Sequence, residues 1–220
     1  FYGLNRRVTS FWENSDLMAV GKPSEAELAL LEPLKDSLPE GVLTEDAVMP
    51  PVSGERQLDR RNLRAAGALL DEAGWVAGDD GMRRNDKGET LKVEFLEHNQ
   101  SFDRFVNPFV QNLRTLGVDA VYSRVDPSEL TTRTRSHNFD IVRELLGGAY
   151  AIGGGTDQTF GSEDADDVFN PMGLRNPAVD ALIDKGIEAE SEEETRVIIS
   201  ALDRTLRALH FWIPQWYKPD

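Results

Sequence analysis

Hydrophobic and polar positions follow two distinct periods through the middle of the chain. Apolar residues recur at helical spacing over residues 59–73 and alternate with charged residues over 91–95, which predicts a helix and then a strand. Residues 102–116 carry a strongly apolar helical stripe, in which Pro108 either kinks the helix or marks a later start. Residues 118–125 predict a second strand. Because a strand, a helix and a strand in this order form a βαβ unit, we expect a parallel pair with a right-handed crossover.

The second half of the chain continues in the same manner. A short helix opens at Asp126, and residues 139–146 predict a third strand. Residues 147–170 are rich in glycine and acidic residues and show no clear period, whereas two amphipathic helices follow at 177–190 and 192–210. This order predicts an α/β fold with a mixed, mostly parallel sheet flanked by helices.

The N-terminal part is less regular. Residues 1–23 read as the end of a helix followed by an irregular arm, and Ser24 with Glu27 has the spacing of a capping box for a short helix. Residues 39–58 are punctuated by proline and glycine, which predicts an extended connector on the surface.

No strong linker divides the chain, so we expect a single domain over residues 1–220, within which 1–58 form the helix end, the arm and the connector. The connector is its weakest seam. The chain begins at Phe1 without an initiator Met or a signal peptide, which indicates a segment excised from a longer protein. No apolar run approaches the roughly 20 residues that a membrane span requires.

Composition narrows the classes of function. A net charge of −15 disfavours binding to a nucleic-acid backbone, which requires clustered Lys and Arg. The absence of cysteine excludes disulfides, thiolate nucleophiles and zinc sites built on cysteine. His98, His137 and His210 lack the spacing of a metal site, and the acidic run 163–167 does not match a calcium-binding loop. We therefore expect no metal, no other cofactor and no catalytic residue.

The glycine-rich segment 147–158 is the main candidate for a binding site. It follows a strand end, which is where ligands bind in open α/β sheets, and glycine allows close approach to the backbone. Tyr150, Gly154, Asp157 and Gln158 would then offer an aromatic ring, a bare backbone, a carboxylate and an amide. The alternative is a flexible surface loop. The glycine spacing matches no nucleotide-binding motif.

Two tryptophans are further candidates. Trp12 and Trp216 lie near the two ends of the chain, and large aromatic side chains suit a pocket that accepts varied partners. The alternative is that both only pack in the core. We include Trp12 and Trp216 in the predicted ligand site.

The order of several short motifs resembles one known family. Residues 169–184, with sequence FNPMGLRNPAVDALID, are followed by a long amphipathic helix and by Ile213-Pro-Gln-Trp-Tyr. Residues 69–75 (LLDEAGW) and 113–119 (LRTLGVD) add two earlier motifs in the expected order. This arrangement resembles the family 5 extracellular solute-binding proteins, the oligopeptide- and nickel-type receptors of ABC importers, and within them the branch associated with peptide and microcin C-type uptake.

The resemblance implies a fold and a function. Family members have two lobes that close over a ligand, so this chain is expected to be one lobe of a type II periplasmic binding protein, the one inserted within the other. The implied partners are an oligopeptide or peptide-like ligand, the other lobe of the same full-length chain and an ABC permease, in the periplasm and peripheral to the membrane. The family also implies a carboxylate that pairs with the α-ammonium of a peptide, for which Asp157 is the nearest candidate. Two other classes remain open, a small acidic α/β hydrolase or lyase and a non-catalytic interaction module.

Overall fold

A computed structural model describes residues 5–53, 58–145 and 151–218. The chain divides into two compact units. Unit 1 comprises Phe1–Pro50 and Leu145–Asp220, and unit 2 comprises Pro51–Glu144. The first boundary falls inside the predicted connector 39–58. That the whole chain is one lobe of a larger protein stays a prediction.

The described residues form both helices and strands. The α-helices are α1 (Glu25–Leu31), α2 (Arg60–Glu72), α3 (Asp103–Thr115), α4 (Pro127–Arg135), α5 (Gly154–Phe160), α6 (Pro177–Glu188) and α7 (Glu192–Ala208). The strands are β1 (Arg6–Arg7), β2 (Val76–Ala77), β3 (Arg83–Arg84), β4 (Lys92–Glu97), β5 (Asp119–Arg124), β6 (Ile141–Val142) and β7 (Trp216–Tyr217). Short 3₁₀ helices follow α1 at Glu32–Ser37 and precede α3 at Gln100–Phe102.

Unit 2 is built on a parallel sheet of three strands in the order β5-β4-β6. The predicted βαβ unit is confirmed as β4, α3 and β5, with Lys92 opposite Asp119 in the register. Pro108 lies inside α3, which runs through it. The face of α3 that carries Val106 and Val110 packs on Val118 and Ala120, because the apolar stripe of the helix must be buried against the sheet. The third strand is shorter than predicted and covers only Ile141–Val142.

A small meander precedes this sheet. β2 and β3 pair antiparallel, and a turn at Asn85–Gly88 is closed by hydrogen bonds from Asn85 N to Glu89 O and from Gly88 N to Asn85 O. The buried Arg83 side chain joins this meander to the ends of two helices. It donates to Leu116 O and to Asp71 Oδ1, each at 2.6 Å.

Unit 1 is mainly helical. α6 and α7 lie at its centre, and their buried residues Val179, Leu182, Ile198, Leu202 and Leu206 form its core with Leu31 of α1. Side chains cap the N-termini of these helices, and the predicted capping box of α1 is confirmed. Asn176 Oδ1 accepts from Ala178 N and Val179 N, Ser191 Oγ accepts from Glu194 N, and Ser24 and Glu27 form the capping box of α1.

One local prediction was wrong. The helix end expected at the N-terminus is replaced by β1, in which Arg6 pairs with Tyr217 and Arg7 with Trp216. This strand depends on a partner at the far end of the chain, which no local pattern reveals. The segment without a clear period contains a helix, α5, which the sequence did not indicate because its seven residues carry no amphipathic stripe.

In the part of the chain that the structure describes, no helix has both the length and the apolar character needed to cross a bilayer.

Candidate functional site

Among the described residues of unit 1, four aromatic rings lie close to Phe11. The ring of Phe11 lies 4.1 Å from Trp212, 5.3 Å from Phe160 and 5.9 Å from Phe211, measured between ring centroids. The ring of Trp12 lies 6.4 Å away. These separations are typical of favourable aromatic packing. We call Phe11, Trp12, Phe160, Phe211 and Trp212 the Phe11 cluster. It joins three segments: the N-terminal arm, the end of α5 and the residues after α7.

α5 is held at both of its ends. Ile152, just before the helix, is buried and packs against the backbone of Gly186 in α6. Phe160, at the last position of the helix, belongs to the Phe11 cluster. After it, Gly161 N donates to Asp157 O at 2.7 Å, and a Cβ atom on Gly161 would lie only 2.6 Å from Asp157 Oδ1. The position of the Asp157 carboxylate therefore depends on the absence of a side chain at Gly161.

The last described segment is joined to the arm by backbone and side-chain hydrogen bonds. β7 pairs with β1, and Val8 N donates to Gln215 O at 3.2 Å. The Tyr217 hydroxyl donates to Asn14 Oδ1 at 2.7 Å. Trp216, on β7, is half-buried. This places Trp216 and the arm that carries Trp12 in one paired structure.

The predicted site residues are distributed as follows. Trp12 is 6% exposed and lies in the core of unit 1, which favours the packing alternative for this side chain. Gly154 and Asp157 lie in α5, and Gln158 is exposed on the same helix. Tyr150 lies outside the described residues. The Phe11 cluster thus unites the three segments that carry the predicted residues, although their ligand contacts stay a prediction.

A buried ionic group on α7 lies behind the Phe11 cluster and was missed in the sequence. Asp203 is fully buried, and its Oδ1 accepts from Ser10 Oγ at 2.8 Å and from Phe11 N at 3.1 Å. Its Oδ2 accepts from Ala19 N and Arg207 Nη1, each at 3.0 Å. Burial raises the pKa of Asp203, and the positive charge of Arg207 opposes that rise without cancelling it.

A second cluster of charged residues lies in unit 2, where the parallel strands end. Glu97, the last residue of β4, is almost completely buried and accepts from Arg143 Nε at 2.8 Å. The backbone N–H groups of His98 and Asn99 each donate to Glu97 Oε1 at 2.9 Å. Burial alone would raise the pKa of Glu97, but the hydrogen bonds from Arg143 and these N–H groups outweigh it and hold the pKa below its usual value.

Aromatic and ionic contacts extend this edge. The guanidinium of Arg143 stacks on the ring of Phe102 at 4.0 Å from its centroid, a cation–π arrangement. The Tyr122 hydroxyl donates to Asp103 Oδ1 at 2.6 Å, and Arg124 forms an ion pair with the same carboxylate. Because ligands in open α/β sheets bind beyond the carboxyl ends of the strands, this edge is a second candidate surface. In the sequence, this surface could have been recognised from the polar residues that directly follow β4 and β6.

A shallow cavity of about 290 Å³ lies elsewhere in unit 1. Leu30, Lys185, Glu188, Glu190, Glu194 and Ile198 line it. None of the predicted site residues that the structure describes lines it. Among residues 5–53, 58–145 and 151–218, no group of three or more His, Asp or Glu side chains is arranged to hold a metal ion.

Comparison with known proteins identifies the family. Residues 31–164 match the sequence profile of the bacterial extracellular solute-binding proteins, family 5 Middle. The chain belongs to family 5 of the extracellular solute-binding proteins. Among its family 5 relatives, the probable peptide-binding protein YejA of Agrobacterium fabrum is 38% identical over the whole chain. The chain spans about 36% of that relative's length.

Solved structures confirm the α/β fold as that of type II periplasmic binding proteins. One match is the oligopeptide-binding protein AppA of Bacillus subtilis in complex with a nonapeptide, with a TM-score of 0.63 at 13% identity. The superposition covers 98% of this chain and 47% of the AppA chain. A second match is the periplasmic oligopeptide-binding protein of Thermotoga maritima with bound mannohexaose, with a TM-score of 0.61 at 16% identity. The superposition covers 94% of this chain and 46% of the Thermotoga maritima chain. At these identities the likeness establishes the fold alone.

Proposed function

We propose that this chain is the substrate-binding lobe of a periplasmic receptor that captures oligopeptides or peptide-like solutes for an ABC importer. The observation that carries the proposal is its membership of family 5 together with 38% identity, over its whole length, to a probable peptide-binding protein. The rest of the full-length chain would supply the second lobe, the ligand would lie between the lobes, and the closed receptor would dock on a permease.

The proposed mechanism is non-covalent. A ligand closes a two-lobed receptor only if it binds the closed state better than the open one, so contacts from both lobes are needed. On this lobe we assign the contacts to α5, with Asp157 and Gln158, and to the segment that carries Trp216. The partly exposed Asp157 carboxylate would pair with the α-ammonium group of a peptide, which is a charge-assisted hydrogen bond.

Catalysis is the less favoured alternative. The carboxylates with perturbed pKa values in the described residues are held by structural partners, as Asp203 is by Ser10 and Arg207 and Glu97 by Arg143. Asp203 and the Ser10 hydroxyl that it accepts from are both buried in the core of unit 1, and Glu97 is almost completely buried beside His98, so neither carboxylate is open to a substrate. We therefore assign the protein a binding role.

The test is a peptide-binding measurement on the full-length receptor. Di- to octapeptides would be titrated by calorimetry, with nickel and mannohexaose as controls. Free and N-acetylated forms of the best peptide would then be compared in the wild type and in Asp157→Asn. If Asp157 pairs with the α-ammonium, acetylation weakens binding to the wild type by about 10- to 100-fold, which corresponds to a hydrogen bond to a charged group of about 1.5–3 kcal/mol. Acetylation then has little further effect in the variant.

The matched control is Asp166→Asn, which removes the same charge from an exposed position of the same unit. It should preserve the discrimination between free and acetylated peptide. If N-acetylation of the peptide reduces affinity equally in the wild type and in Asp157→Asn, Asp157 does not contact the α-ammonium group. Binding of mannohexaose or nickel without any peptide would preserve the receptor role and overturn the assignment to peptides.

A further inference from the structure

The buried ion pair of α7 reaches both ends of the segment that carries Phe11. Asp203 accepts from Ser10 and Phe11 at one end of this arm and from Ala19 at the other. Residues 10–19 are therefore joined to one carboxylate at both ends. These hydrogen bonds connect positions 184 to 193 residues apart in the sequence.

Arg207 completes the connection. Its Nη1 donates to Ala19 O at 2.9 Å as well as to Asp203, and its Nε donates to Val48 O at 2.8 Å. Both side chains are almost fully buried. The four hydrogen bonds that the described residues donate to the Asp203 carboxylate come from the arm or from Arg207, and both side chains are buried, so we assign the pair no ligand of its own.

Stability alone does not explain such a pair. Removing two charges from water costs about as much as their attraction returns, and apolar residues of similar volume are often at least as stabilising. What an ion pair adds over apolar packing is direction, because each hydrogen bond fixes the position of its donor. Here the donor at Phe11 is the backbone N–H of the residue whose ring contacts Trp212 and Phe160.

We propose that Asp203, with Arg207, is a positioning residue for the solute site: it fixes the arm so that the Phe11 ring holds the end of α5 and the segment after α7 in their binding arrangement. This inference rests on the proposed function, since it assigns the site to those two segments. Asp203 itself touches no solute. Its effect passes through Phe11.

The same helix offers a matched control. Arg204, one turn of chain earlier than Arg207, is equally buried and pairs with Glu27 of α1 at 3.2 Å. Its Nη1 donates to Gly21 O at 2.8 Å, and among the described residues none of its hydrogen-bond partners belongs to the Phe11 cluster. Weakening this pair should destabilise unit 1 without moving the solute site.

The experiment compares Asp203→Asn with Glu27→Gln in the full-length receptor. Both replace a buried carboxylate by an amide of the same size. We expect comparable losses in thermal midpoint. Peptide affinity should fall at least tenfold in Asp203→Asn and change less than about twofold in Glu27→Gln. Equal losses of affinity in the two variants would overturn the proposal, because a purely structural role predicts them.

A double-mutant cycle of Asp203→Asn with Phe11→Leu tests whether Asp203 acts through the Phe11 ring. If Asp203 acts through the Phe11 ring, Asp203→Asn costs much less affinity in the Phe11→Leu background than in the wild type. Additive effects contradict the route. Ser10→Ala removes a single donor to Asp203 and is the milder variant, to be used if Asp203→Asn does not fold. It should also weaken peptide affinity.

Hydrogen exchange separates this inference from the proposed function. Without any ligand, Asp203→Asn should accelerate amide exchange in residues 10–19 and at the end of α5, whereas Glu27→Gln should accelerate it in residues 21–31. If no peptide binds the wild type, the proposed function fails. In that case uniform exchange changes in both variants would also overturn the positioning role, whereas the localised pattern would support it.

Discussion

Ile152 packs against the bare backbone of Gly186. A Cβ atom on Gly186 would lie 2.8 Å from the Cβ of Ile152 and closer still to its Cδ1. The start of α5 can therefore approach α6 this closely only because position 186 has no side chain. Ile152 is buried at this contact and leads directly into α5. The placement of the helix that carries Asp157 therefore depends on a glycine in α6.

Gly186→Ala should destabilise unit 1 and displace α5. Adding a methyl group to a packed contact costs about 1–3 kcal/mol in the free energy of unfolding, against which the helix propensity of Ala returns about 1 kcal/mol. Urea unfolding measures the net loss. Gly155→Ala is the control, because a Cβ there meets nothing within 4 Å, and it should leave stability unchanged or raise it. A Gly186→Ala protein as stable as Gly155→Ala would contradict the contact.

Gly117→Ala should destabilise unit 2 by more than backbone strain alone explains. Gly117 has a φ of +86°, and a Cβ there would overlap with Gly81 O and lie 3.3 Å from Arg83 N. Gly88 has a similar φ of +79° with nothing within 4 Å, so Gly88→Ala measures strain without the clash. We expect Gly88→Ala to cost about 1–2 kcal/mol and Gly117→Ala clearly more. Equal unfolding free energies in the two variants would show that the clash is absent.

Asn176 stabilises α6 through two separate functions. Its Oδ1 caps the helix, and its Nδ2 donates to Ser37 O at 2.9 Å. Asn176→Ala loses both and should cost about 1–3 kcal/mol. Asn176→Asp retains the cap and loses only the donor to Ser37, so thermal unfolding should place it between the wild type and the Ala variant. An Asp variant that is less stable than the Ala variant would refute this division.

Acid should weaken unit 2 through Glu97. Its pKa is held below the usual value in the folded chain, so the unfolded chain binds the proton more tightly and protonation favours unfolding. The contribution of Glu97 is present above the usual Glu pKa near 4.5 and is lost as pH falls through the lower folded value. Urea midpoints of the wild type and Glu97→Gln should therefore differ most at pH 7 and converge toward pH 3.

The exposed Glu72→Gln controls for the loss of one charge and should follow the wild type at every pH. Asp203 acts with the opposite sign, because its raised pKa adds stability as pH falls. Because both Glu97→Gln and the wild type contain Asp203, the difference between their urea midpoints reports the contribution of Glu97 alone. A difference that stays constant from pH 7 to pH 3 would contradict the hydrogen-bonded carboxylate.

Patterns that are local in the sequence determined much of the fold. The caps at Ser24, Asn176 and Ser191, the helix α3 and the two strands it connects all follow from residues fewer than about 20 positions apart, because helical and strand periods and capping hydrogen bonds are short-range. The ordered motifs from residue 69 to residue 217 were enough to indicate the family. For the candidate site, the sequence singled out the glycine-rich segment, without its helix, and Trp216, but not the contacts that hold them.

Tertiary structure alone decided the remainder. β1 exists because Arg6 and Arg7 meet Tyr217 and Trp216, and the polar residues Asp203 and Arg207 are buried because an arm from the other end of the chain covers them. In the sequence these two side chains have the pattern of an exposed helix face. A buried charge is tolerated only where partners satisfy it, and those partners lie as far as 193 residues away. The sequence alone determined the elements whose signals are local and the family to which the chain belongs, whereas long-range packing decided the formation of β1 and which side chains the elements bring together.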